Sequence, residues 1–72
     1  MTDERPLHER LKEARLAIRR TQTQLATLFK VTHATYNRWE TGRVMPTRKR
    51  QAKIEKLIDM AQKYVRSEGQ GT

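Results

Sequence analysis

The chain has 72 residues, with 16 Lys and Arg against 8 Asp and Glu, and no Cys. That length holds one domain with a small core, and the lack of Cys excludes disulfides and thiolate metal sites, so well-packed helices or a partner subunit must stabilise it. No apolar run approaches the roughly 18–20 residues of a membrane span, and the charged start MTDERPLHER lacks the apolar segment of a signal peptide, so a soluble cytoplasmic protein with no membrane partner is expected.

Residues 1–6 read as a flexible arm. Leu7, Leu11, Ala14 and Ile18 then share one helical face and predict a first helix to about Arg19. Glu9, Arg10, Lys12 and Glu13 form its solvated side, while Arg15 lies beside the apolar stripe. Thr21-Gln22-Thr23-Gln24 fits a capping box, in which the Thr hydroxyl accepts the amide three residues on and the Gln reaches back. A second helix follows from about Gln22 to Phe29, with Leu25, Ala26 and Phe29 inward.

Lys30-Val31 forms a turn, Thr32 is placed to cap a third helix from His33 to about Glu40, and Gly42 fits the left-handed position past its end. Two short helices joined this tightly have the spacing of a helix-turn-helix. Pro46 stops any continuation and Thr47 caps a last helix. Ile54, Leu57, Ile58, Ala61, Tyr64 and Val65 give that helix an apolar stripe to about Val65, with a break possible at Ala52–Lys53. The domain is therefore placed at residues 7–65. Residues 66–72 have no apolar anchor beyond Val65 and are expected to be a disordered tail.

The charge is unevenly placed. Nine bases and one acid, Glu40, lie between Arg19 and Lys53, whereas the flanks hold seven of each and cancel. The excess surrounds the helix-turn-helix, as a polyanion-binding surface requires. At about 100° per residue, His33, Ala34, Asn37 and Arg38 share one face of the third helix, and Tyr36 and Trp39 the other. The first face has the chemistry of base readout: Arg pairs with guanine, Asn with adenine, Ala touches a thymine methyl, and His donates or accepts. Thr32 and Thr35, near the start of this helix, are expected to contact phosphate. Arg48, Lys49 and Arg50 open the last helix, where cations oppose the helix dipole. That local conflict predicts phosphate contact instead. Gln22 is placed for a similar contact at the second helix.

No second ligand stands at metal spacing from His33, and no nucleophile–base set, phosphate-cradling Gly loop or carboxylate pair occurs. Neither an enzyme, a metal site nor a cofactor is expected.

Arg15, Thr21-Gln22 with Leu25-Ala26, Val31-Thr32, Arg38-Trp39-Glu40 with Gly42, and Pro46 together resemble the Cro/phage-repressor (XRE) helix-turn-helix family over about Leu11 to Leu57. The resemblance implies an all-α fold: a compact four- or five-helix, lambda-repressor-like domain, usually paired as a symmetric homodimer on a pseudo-palindromic double-stranded DNA operator. It implies a bacterial or phage-encoded regulator of transcription. It assigns phosphate binding and bracing of His33 to Gln22, base contacts to His33, Ala34 and Arg38, flanking contacts to Asn37 and Arg43, and a buried ion pair to Arg15 and Glu40. Three departures stand out. Lys30 holds a turn position where the family has Gly, Arg20 replaces an apolar residue, and the chain ends in one long helix. That helix is the feature favouring a rival reading, a protein-interaction module of coactivator or antitoxin type. A third reading is sequence-neutral DNA packaging.

Overall fold

The computed structural model describes the backbone of residues 4–70 and the side chains of residues 4–64. Four helices follow one another: α1 Leu7–Ala17, α2 Gln22–Leu28, α3 His33–Glu40 and α4 Arg48–Gln70. There is no strand among the described residues. The fold is the all-α arrangement expected for a helix-turn-helix domain.

Each short helix starts on a threonine. The Thr21 hydroxyl accepts from the Gln24 amide at 3.0 Å, and the Gln24 side chain takes the Thr21 amide at 2.8 Å, closing the capping box. Thr32 caps α3 by accepting the Thr35 amide at 3.2 Å. Thr47 stands before α4 and accepts the Arg50 amide at 3.4 Å.

The first three helices end alike. Past α1, α2 and α3, one residue turns left-handed and the next sends its amide back to a carbonyl in the last helical turn. Arg20 bonds Arg15 at 3.1 Å, Val31 bonds Ala26 at 2.9 Å and Arg43 bonds Arg38 at 3.0 Å. The left-handed residues are Arg19 (φ 57°), Lys30 (φ 60°) and Gly42 (φ 78°). Only one is glycine, so the other two carry a steric cost of about 1 kcal/mol each. Lys30 thus accepts the turn where the family has Gly. At Gly42 a Cβ would meet the His8 ring at 3.0 Å, so space as well as φ demands glycine there.

The apolar stripes meet in one core of Leu11, Ala14, Leu25, Ala26, Phe29, Tyr36, Trp39, Ile54, Leu57, Ile58 and Ala61, edged by Leu7, Ile18 and Val31. Phe29, Tyr36 and Trp39 pack with ring centroids 5.9–6.3 Å apart, which locks the angle between α2 and α3. Arg10 Nη1 ties α1 to Glu55 of α4 at 2.9 Å. Within the described part of the amino-terminal segment, Arg5 pairs with Glu13 and its carbonyl accepts from Arg10 Nε at 3.1 Å.

Two expected boundaries differ. Helix α1 ends two residues before Arg19, because Arg19 itself takes the left-handed position. Helix α4 is unbroken at Ala52–Lys53 and runs to Gln70, past the expected end near Val65. No proline interrupts it, and a helix already nucleated on the core adds residues at little cost. Residues 71–72 of the expected tail, and residues 1–3 of the expected arm, lie outside the described residues. Tyr64, expected in the core stripe, is 44% exposed, because the stripe drifts off the short α1–α2 platform.

Candidate nucleic-acid interface

Helix α3 is two-sided. Tyr36 (0% exposed) and Trp39 (4%) anchor one side in the core. On the other, His33, Ala34, Asn37, Arg38, Thr41 and Arg43 line a shallow open groove. His33, Ala34, Arg38 and Arg43 are exposed, whereas Asn37 is half-buried. Thr41 escaped the sequence reading because it falls just past the helix; its hydroxyl donates to the Arg38 carbonyl at 3.2 Å.

Behind this groove stands a buried polar cluster. Arg15 Nε donates to Glu40 Oε2 at 2.6 Å and Arg15 Nη2 to Glu40 Oε1 at 3.2 Å. The Glu40 side chain is 2% exposed. Arg15 Nη1 also donates to the Arg20 carbonyl at 3.0 Å, so one guanidinium joins α1, the α1–α2 turn and α3. Burial opposes ionisation of Glu40, but the hydrogen bonds from Arg15 and Gln22 and the Arg15 charge outweigh it and hold the carboxyl below its ordinary range. The bond to Glu40, outweighing burial, raises the Arg15 pKa. The buried Tyr36 hydroxyl makes no hydrogen bond of ordinary geometry. Its burial, and the Glu40 carboxylate close by, push its ionisation well above the usual range.

Gln22 connects this cluster to the groove. Its Nε2 donates to Glu40 Oε1 at 3.0 Å. Its Oε1 lies 3.0 Å from His33 Nε2 and 3.2 Å from Asn37 Nδ2. Gln22 therefore keeps one side-chain N–H for an outside ligand, and Asn37 keeps its oxygen and one N–H. Neither the Glu40 bond to Gln22 nor the inward turn of Asn37 has a signal in spacing alone.

The remaining expected contacts lie elsewhere. Thr32 and Thr35 are joined hydroxyl to hydroxyl at 3.0 Å at the start of α3. Arg48 and Lys49 are exposed on the first turn of α4 and do not line the groove. Arg50 is half-buried, with its Nε shielded from solvent and without a hydrogen-bond partner.

Among the described residues no cluster of three potential metal-binding side chains occurs, and no helix is long and apolar enough to cross a membrane. Comparison found no matching curated protein and no matching solved structure. A family model described as a helix-turn-helix matches residues 11–65, from the apolar face of α1 to the body of α4. With the two-sided α3, the threonine-capped pair α2–α3 and this match, the chain belongs to the Cro/C1-type (XRE) helix-turn-helix family of DNA-binding transcription regulators.

Proposed function

We propose that this protein binds double-stranded DNA sequence-specifically and regulates transcription, most simply by occluding a promoter. The observation that carries this reading is the division of α3, with Tyr36 and Trp39 in the core and His33, Ala34 and Arg38 on an open groove face. A helix held this way enters the major groove with its outer side chains on base edges. Arg38 reads guanine, Ala34 touches a thymine methyl, and His33 reads a base beside them. Asn37 braces and contributes its remaining polar atoms. Gln22, Thr32, Thr35, Arg43, Arg48, Lys49 and Arg50 hold the backbone. The setting is the cytoplasm of a bacterial host, on the nucleoid.

A homodimer places two copies of α3 about 34 Å apart on a roughly palindromic operator. The surface for pairing is an apolar groove between α2 and α4, where Leu28 is 60% and Met60 56% exposed. That same groove is the observation favouring the second reading, a helical module that chiefly binds another protein.

Replacing Arg38 with Ala tests the first reading. Specific affinity falls by roughly 1–3 kcal/mol and the preference at its base pair relaxes. An unchanged ratio of specific to non-specific binding would remove base reading from α3.

A further inference from the structure

The polarity of the hydrogen bonds behind α3 decides what His33 offers to a ligand. A carboxylate only accepts. Glu40 therefore fixes the Gln22 amide with its NH2 toward the ion pair, at 3.0 Å, and its oxygen toward α3. That oxygen also only accepts. The 3.0 Å contact with His33 thus requires the imidazole proton on Nε2, and the 3.2 Å contact requires the Asn37 NH2 to face inward. Both lone pairs of the Gln22 oxygen are then used. A neutral imidazole protonated on Nε2 has a bare Nδ1, which is an acceptor. With the Gln22 amide reversed, His33 would carry its proton on Nδ1 and offer a donor instead.

We propose that Glu40 and Gln22 are positioning residues that set His33 as a hydrogen-bond acceptor on the groove face of α3, so that it reads a base amine, adenine N6 or cytosine N4. This rests on the DNA-binding reading above. In the major groove those two amines are the donors, while guanine and thymine offer acceptors at the equivalent edge. A buried ion pair thereby acts on base choice through a single amide, without touching DNA. Asn37 follows the same logic, since its committed NH2 leaves its oxygen as a further acceptor.

The test has two arms on the full chain. In nitrogen NMR of the free protein, His33 should show an unprotonated Nδ1 and an Nε2–H whose exchange with water is slowed, with His8 as internal reference. Gln22→Leu should speed that exchange about two- to tenfold, the loss expected for one hydrogen bond. A proton on Nδ1, or exchange unaltered by Gln22→Leu, overturns the relay. In the second arm, duplexes are selected from a random pool. The wild type should favour adenine or cytosine over guanine or thymine about fivefold at one position per half-site. Gln22→Leu should flatten that position and leave the Arg38 position intact. His33→Ala alters an exposed residue and should flatten the same position even if Gln22→Leu folds poorly. Guanine or thymine at that position, or a preference surviving His33→Ala, overturns the assignment. Failure to select any duplex would refute the DNA-binding reading itself, and the NMR arm distinguishes that from failure of the relay.

Discussion

Replacing Glu40 with Ala removes the acceptor of three hydrogen bonds, two from Arg15 and one from Gln22. The Arg15 side chain, only 12% exposed, loses its counter-charge. Breaking a buried pair by deleting one partner costs about 3–5 kcal/mol. Arg15 keeps the Arg20 carbonyl at 3.0 Å, which sets the loss at the lower end. A domain of this length has about 4–11 kcal/mol of stability, so the loss is a large fraction of it. It corresponds to a fall in Tm of about 12–24 °C. Urea unfolding followed by fluorescence of Trp39, the one Trp and 4% exposed, measures it directly.

The pH dependence adds a sharper check. The Glu40 carboxyl is held below its ordinary value of 4.5. Its contribution is then complete above that value and disappears as pH falls through the lowered one. The difference between wild type and Glu40→Ala should shrink progressively in acid. Glu40→Gln keeps the shape and an acceptor and should fall between them. A loss under about 1 kcal/mol at neutral pH, or a difference equally large at pH 7 and in strong acid, would refute the reasoning.

Three further outcomes follow from the geometry. Lys30→Gly should stabilise the domain by roughly 0.5–1 kcal/mol in urea unfolding, because glycine adopts the left-handed turn without the Cβ cost; destabilisation would argue against strain at φ 60°. Gly42→Ala should cost about 1–2 kcal/mol, and a double-mutant cycle with His8→Ala should recover the share due to the 3.0 Å clash but not the share due to φ. Arg48→Ala should weaken binding to all duplexes alike and reduce the salt slope by about 0.9. An unaltered slope removes that phosphate contact.

Features encoded over one helical turn were legible in the sequence. The Thr21 and Thr32 caps, the two faces of α3 and the Gly42 stop each depend on residues within a few positions, and the structure has them in place. Arg15 and Glu40, 25 residues apart, join across the fold, and only the family resemblance linked them beforehand. The resemblance places Gln22 beside His33, but its bond to Glu40 was not readable, since an amide can face either way until a carboxylate orients it. Arg19 hid the end of α1, because nothing in an arginine announces a left-handed turn. The end of α4 was not legible for a related reason: residues 66–70 lack apolar anchors and include Gly69, so neither periodicity nor propensity marks a helix that runs to Gln70.

The central claim is that α3 reads bases. The most direct measurement compares the affinity of the wild-type chain for its selected duplex with that for a scrambled duplex of equal length at physiological salt. The account predicts a preference of at least about a thousandfold, largely lost in Arg38→Ala. A ratio near one, with affinity falling steeply as salt rises, would contradict it and leave a charge-driven, sequence-neutral binder.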